Sequence, residues 1–355
     1  KYRLHLLSVR NIIFNETNRK QFFYGGRKDL KKVKKTISIL LCLLLLGGIL
    51  SETGMQGGIL PQTVQAAGRY TGWKTVSGKR YYYQNGRMLK GMSKIGNDYY
   101  CFNYQGGQLK GWVYTKNHYR YFDKRSGKMR RNTTIQGRKI NSNGVWVPVV
   151  VLDPGHSGVQ MSGYEPLGPG SSERKAKCSS GTEGVATGIG EYQLTLNIAK
   201  KLRTALIAQG CRVIMTRNDN KTRISCAQRA GVANRAKADA YLRIHANGVD
   251  YSSVNGAMTI CVTSRNRYVS RSMYRKSYAL SKAVLNSYVK ATGCRKEYIW
   301  ETDSMSGNNW SKVPTTLIEL GYMSNPSEDR MMQRPSYQQK MVKGMADGIK
   351  KFFIS

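Results

Sequence analysis

The sequence predicts an α/β domain over residues 148–355, a mostly parallel twisted sheet with helices on both faces, preceded over 68–147 by a solenoid of β-hairpin repeats. Three observations carry this. From Val149 onward, short β-branched apolar runs alternate with stretches whose apolar residues recur every three to four positions. Upstream, a Gly-plus-large-residue step returns at Gly72-Trp73, Gly91-Met92 and Gly111-Trp112, spaced by 19 and 20 residues. Residues 1–67 follow neither pattern.

The first 67 residues read as a leader and secretory signal. A basic cluster, Lys31-Lys32-Val33-Lys34-Lys35, precedes the 14-residue apolar run from Ile37 to Leu50, and Val64-Gln65-Ala66-Ala67 supplies the small residues of a cleavage site. The run is shorter than the roughly 20 residues of a membrane span. A cleaved signal is therefore expected, with an uncleaved anchor as the alternative. No Met occurs before Met55, so translation is expected to start at a non-standard codon read as Leu30 or Val33. Membrane contact is expected only through this segment.

In the repeat segment each Gly step leads into aromatics: Tyr81-Tyr82-Tyr83, then Tyr99-Tyr100 with Phe102, then Tyr119 with Tyr121-Phe122. A Gly and a short basic step follow each. Aromatic runs bounded by Gly and polar turns read as hairpins too small to bury their own faces, which stack on their neighbours. A partial fourth unit runs through Gly137, Gly144 and Trp146.

From Pro148 the chain changes. Val149 to Leu152 is a strand buried on both faces. Glu191 to Gln209 is a helix, with Leu194, Ile198, Leu202 and Leu206 on one stripe and Gly210 ending it. Cys211–Thr216 is a second strand, Ala227–Ala236 a helix, Ala240–Ile244 a third strand and Ala257–Val262 a fourth. Met273–Lys290 is a long helix, Thr315–Leu320 a fifth strand and Tyr337–Phe352 the last helix. Residues 157–190 are read as a long loop.

The formal net charge is +38, and it is uneven: +8 over 1–67, +15 over 68–147 and +15 over 148–355. So basic a chain calls for a polyanionic partner. Nucleic acid would suit basic residues interleaved with aromatics, but an export signal argues against it. A wall polymer fits both charge and destination. A secreted, wall-associated monomer is expected.

The chain has only four His, and the α/β domain holds two, His156 and His245, each just after a strand. Ligands in open α/β sheets gather at the carboxyl ends of strands. Two neutral imidazoles there are poised for Zn²⁺, which takes three protein ligands when catalytic. Glu191, opening the first long helix, fits as the third, although Glu165, Glu173, Cys178 and Glu183 in the preceding loop compete. Glu319 sits inside an apolar strand, where a carboxylate is costly unless paired or used. A general acid–base role and an ion pair with a nearby cation both account for it.

These residues fall in LDPGH (Leu152–His156), GEYQLTLNIAKKL (Gly190–Leu202), RVIMTR (Arg212–Arg217), RAGVANRAKADAYLRIHAN (Arg229–Asn247) and VPTTLIELGYMSNPSED (Val313–Asp329). In that order they resemble the zinc-dependent N-acetylmuramoyl-L-alanine amidases of sporulation, autolysis and phage lysis. The resemblance implies one Zn²⁺ ion held by His156, Glu191 and His245. It makes Glu319 the catalytic carboxylate, and peptidoglycan the substrate. Arg243 and Asn247, flanking His245, are expected to orient the substrate.

The segment 68–147 resembles the choline-binding-like cell-wall-binding repeats of Gram-positive surface proteins. It implies wall contact through Trp73, Tyr82, Tyr100, Trp112 and Tyr121. Met92, Arg80 and Asp98 stand where that pattern places aromatics. With the net +15, this favours an anionic polymer or glycan strand over a choline cation. A non-catalytic surface protein is the competing function class. Six Cys follow the signal, at 101, 178, 211, 226, 261 and 294. None is expected to form a structural disulfide.

Overall fold

The computed structural model describes residues 69–355; the leader, signal and start-site readings fall outside them. The repeat segment is a run of hairpins. The first unit joins β1 (Gly72–Val76), β2 (Lys79–Gln84) and β3 (Arg87–Met88). The second joins β4 (Gly91–Ile95), β5 (Asp98–Phe102) and β6 (Gln108–Leu109). The third pairs β7 (Gly111–Thr115) with β8 (His118–Phe122), and the fourth β9 (Thr133–Ile135) with β10 (Arg138–Ile140). Aromatics pack between successive units, as short hairpins require. Trp73 meets Tyr100 of the next unit at 5.0 Å between centroids, and Trp112 meets Trp146 at 5.1 Å.

The sheet of the α/β domain is built from β11 (Val149–Pro154), β14 (Arg212–Met215), β15 (Ala240–Asn247), β16 (Ala257–Cys261), β17 (Lys296–Glu301) and β18 (Thr315–Tyr322). Their order is β14-β11-β15-β18-β16-β17. The first four are mutually parallel, while β16 runs antiparallel to β18. The mostly parallel sheet is as the sequence implies, with one reversal at β16. Between β11 and the first long helix lies a further hairpin, β12 (Met161–Pro166) with β13 (Arg174–Cys178), where a loop was expected.

The helices are α1 (Glu191–Ala208), α2 (Cys226–Arg235), α3 (Arg271–Thr292), the short α4 (Ser306–Asn309), α5 (Pro326–Gln333) and α6 (Pro335–Ile354). Successive residues of a strand face opposite sides. Val150 and Leu152 accordingly join the large cluster that holds α1, α3 and α6, while Val151 and Tyr241 join Ala230 and Ala233 of α2. That alternation is why helices cover both faces. Local signals set the helix ends. Ser270 caps α3 by accepting from Met273 N, and Gly293, at φ +77°, stops it. Asn325 caps α5, with Pro326 at its first position.

Helices α3 and α6 touch almost backbone to backbone. A Cβ on Gly344 would lie 2.6 Å from Tyr288 Cα, and one on Gly348 2.6 Å from Val284 Cα. The repeats are seated on α6 as well. Phe353 packs edge-on to Tyr119 at 5.5 Å and Trp146 at 5.2 Å, and Arg138 Nη1 donates to Phe353 O at 2.7 Å.

Candidate metal centre

β11 runs between β14 and β15 and leads through Asp153-Pro154 into the turn Gly155-His156. His156 turns the chain with φ +59°, a conformation that costs a non-glycine residue about 1–3 kcal/mol. The surroundings hold it there. Arg229 donates from Nη1 to Pro154 O and from Nη2 to His156 O, both at 2.7 Å. Arg217 Nη2 donates to Gly155 O at 2.8 Å, and Gly155 N to Ile244 O at 2.8 Å. Gly155 can only be glycine, because a Cβ would fall 2.4 Å from the His245 ring.

Beneath this turn lies Asp153, fully buried. It pairs with Arg229 Nη1 at 2.7 Å and Arg243 Nε at 3.1 Å. Thr216 Oγ1 and Tyr241 OH also donate to it, at 2.6 and 3.0 Å. Burial opposes its ionisation, but the two guanidiniums and Thr216 outweigh burial and hold the carboxyl well below the usual range. A buried carboxylate with this many donors and cations is satisfied, so it works as an anchor for the turn that presents His156.

Glu191 is the first residue of α1, and its carboxylate is almost wholly buried. Oε1 accepts from Ala246 N at 3.1 Å and Oε2 from Thr182 N at 3.0 Å. These bonds aim it at both imidazoles, with Oε2 at 3.1 Å from His156 Nε2 and Oε1 at 3.0 Å from His245 Nδ1. Burial works against the charge. The hydrogen bonds with His156 and His245 prevail and hold the Glu191 carboxyl well below its usual range.

His245 lies on β15, beside β11 and β18. Its Nδ1 is 3.1 Å from His156 Nε2. Burial pushes the His245 imidazole down to about 4, against the pull of Glu191, so the ring is neutral near pH 7. His156 Nδ1 faces Ser179 O at 2.9 Å, which leaves Nε2 for the center of the site. One ligand atom from each of His156, Glu191 and His245 lies within 4.8 Å of the others. Neutral ring nitrogens and a carboxylate so arranged are a donor set for a divalent cation. Two atoms at the site are buried without a partner, His245 Nε2 and Glu319 Oε2.

Glu319 is the register neighbor of His245 across the β15–β18 pair. Burial, and then the negative Glu191, push its carboxyl well up. Of the two flanking residues, Arg243 lines a cavity of about 110 Å³ with both His, although its guanidinium is engaged with Asp153. Asn247 Oδ1 accepts from Gly248 N at 2.9 Å, at the end of β15.

The competing loop acids lie elsewhere in hydrogen bonds of their own or outside the three-residue group. Glu165 accepts from Ala227 N at 3.0 Å. The segment 157–190 instead brings Ser179 and Thr182 to the ligands, and packs Gly181 so tightly that a Cβ would sit 2.5 Å from Glu191 Oε2. Neither role had a sequence signal, since both depend on how the β12–β13 hairpin returns. Arg217 and Arg229 sit inside recognisable motifs but showed no sign of their function as a clamp.

Among the aromatics expected to contact the wall, Trp73 carries the Arg80 guanidinium 4.2 Å above its ring and packs on Tyr82 at 5.1 Å. Arg138 lies 4.9 Å over Trp112 and 4.2 Å over Trp146. Tyr100, Trp112 and Tyr121 are buried in the hairpin stack.

Fold and constellation together define a hydrolase of the amidase class. Residues 150–351, more than half of the chain, match the N-acetylmuramoyl-L-alanine amidase family, and residues 89–133 match a choline-binding repeat. The chain belongs to that amidase family. It is a peptidoglycan hydrolase that cuts the amide between N-acetylmuramic acid and L-alanine, with repeats that target the cell wall. It is 25% identical over 331 residues to a Staphylococcus aureus protein described as a probable cell wall amidase, LytH, the match covering 92% of this chain and 97% of that one. The Ami1 amidase of Mycobacterium smegmatis is 27% identical, with a TM-score of 0.52 over 58% of this chain and 96% of its own. The apo Ami1 of Mycobacterium abscessus is 28% identical, with a TM-score of 0.53 over 58% and 98%.

Proposed function

We propose that His156, Glu191 and His245 hold one Zn²⁺ ion and that Glu319 is the general base and acid of amide hydrolysis. The convergence of the three ligand atoms within 4.8 Å, near Glu319 with its Oε2 buried and unpartnered, carries this reading. When bound, Zn²⁺ supplies Lewis acidity, polarising the scissile carbonyl and making water more acidic. Glu319 takes the proton of the attacking water and delivers it to the departing α-amine of L-alanine. The pressure on Glu319 toward its neutral form suits a group that must hold that proton between the two transfers. Arg243 and Asn247 orient the substrate from either side of His245.

The repeats, residues 68–147, bind an anionic wall polymer or glycan, and residues 148–355 carry the chemistry. The protein is exported through its N-terminal segment and acts as a monomer at the wall, with no nucleic-acid partner. The guanidiniums over Trp73, Trp112 and Trp146 support an anionic partner, because cations of the chain itself already cover those aromatic faces.

The test is digestion of purified peptidoglycan with and without a chelator, followed by mass spectrometry. New free amines on L-alanine that vanish with chelator and return with Zn²⁺ are expected. Release of reducing ends unaffected by chelator would instead show a glycosidase, and no product at all would favor a non-catalytic surface protein.

A further inference from the structure

A cavity of about 830 Å³ lies between the β9–β10 hairpin and the α/β domain. Its walls carry five cationic side chains, Arg138, Lys237, Arg275, Lys276 and Lys312, and one acidic side chain, Asp239. Asp239 is turned inward, its Oδ2 accepting from Val149 N at 2.8 Å. Arg138 is committed to Phe353 O and to the two indoles. The other four cations are exposed, and none has a carboxylate within 4.0 Å among the described residues.

Four unpaired cations converging on one concave surface repel each other, and an anionic occupant relieves that repulsion. The lining includes Ala238-Asp239 and Val313-Pro314, which lead into β15 and β18. The groove is thus at the amino edge of the sheet, and His245 is at the opposite end of β15, roughly 17 Å away at about 3.3 Å per residue. An occupant here leaves the metal face free for peptidoglycan.

We infer that this groove is the seat of the anionic wall polymer, and that the ligand is a polyol-phosphate strand held by cations of the catalytic domain where the β9–β10 hairpin meets it. The inference rests on the wall-polymer reading of the repeats and moves the contact from the aromatic faces, which Arg80 and Arg138 occupy, to the seam behind them. A phosphodiester chain offers one negative charge per unit, which matches a row of separate Lys and Arg side chains.

The experiment uses the full chain and soluble poly(glycerol phosphate). One variant combines K237E, R275E, K276E and K312E. A control combines K74E, K79E, K94E and K116E, four exposed lysines of the hairpins away from the groove. Each cation near an anionic surface contributes roughly fivefold, so the groove variant is expected to lose on the order of 100-fold or more in affinity. The control should stay within about threefold, and both variants should turn over soluble muropeptide as wild type does, which also shows that they are folded. Loss of binding in the control with retention in the groove variant would overturn the inference and leave the wall-polymer reading standing. Failure of the wild type to bind the polymer, with unchanged affinity for walls stripped of anionic polymer, would overturn both. Equal losses in the two variants would show diffuse charge attraction and would also overturn the groove.

Discussion

Replacing Arg229 by lysine keeps the charge beside Asp153 but removes the fork. In the native site Nη1 reaches both Asp153 Oδ1 and Pro154 O, Nη2 reaches His156 O, and Nε reaches Ile224 O at 3.3 Å. A lysine ammonium placed on Asp153 cannot also serve His156 O and Ile224 O. Pro154 O retains Arg217 Nε at 3.0 Å, so two carbonyls lose their donor. A fully buried, unsatisfied group costs about 1–3 kcal/mol, so two would cost about 2–6 kcal/mol; both of these carbonyls are only part-buried, which places the loss in the lower part of that range, about 2–4 kcal/mol in stability. The same carbonyl pins His156 at φ +59°, so its release lets the residue relax and draws the imidazole away from Glu191 and His245. Loss of such a supporting partner typically costs 10–100-fold in metal affinity. Denaturant unfolding in excess chelator reads the first effect, and competition with a chromophoric chelator for Zn²⁺ reads the second. A variant that loses the 2–4 kcal/mol yet binds Zn²⁺ within about twofold of wild type would refute the idea that Arg229 positions His156 for the metal.

Glu319→Gln should bind Zn²⁺ as wild type does and lose at least about 100-fold in muropeptide hydrolysis, the usual contribution of a general acid–base group; equal loss of Zn²⁺ would instead make Glu319 a ligand. His156→Ala should lose both, measured by the same titration and assay. Gly348→Ala drives a methyl to 2.6 Å from Val284 Cα, and overpacking of this kind costs about 1–3 kcal/mol, visible as a drop of several degrees in the melting temperature. Asp153 has its carboxyl held below the usual value in the folded state, so its contribution is complete above the unfolded value near 4 and is lost as pH falls from there toward the folded value. Unfolding of the metal-free protein should therefore show a fall in stability below about pH 4, to which Glu191 also contributes, and Asp153→Asn should make that fall shallower.

Much of the catalytic domain could be read from periodicity. The stripe Leu194, Ile198, Leu202 and Leu206 is buried along α1 as its spacing demands, and the run Val149–Leu152 lies on an inner strand, flanked by β14 and β15. Five elements escaped: β12, β13, β17, the four-residue α4 and α5. β17, KEYIWE, is an edge strand whose alternation is masked because Tyr298 and Trp300 lie on its exposed side while Glu297 shares the inner side with Ile299. α5 had a legible start in Asn325-Pro326 but is only eight residues long. The β12–β13 hairpin pairs across a register shift and presents few apolar residues, so neither strand period stands out.

The sequence by itself determined the two-part organisation, the alternation of strands and helices, and the residue types of the site, because each rests on local spacing or on a rare residue such as His. It could place two His at strand ends and a Glu at a helix start. Only the tertiary structure decided that these meet, that Arg229, Arg217 and Asp153 hold His156 in its turn, and that Ser179 and Thr182 orient the ligands. It also decided that the hairpins are seated on α6 and leave a basic groove at the seam. Those contacts join residues tens to hundreds of positions apart, as in Arg138 with Phe353, and no local pattern records which distant partner a side chain will find.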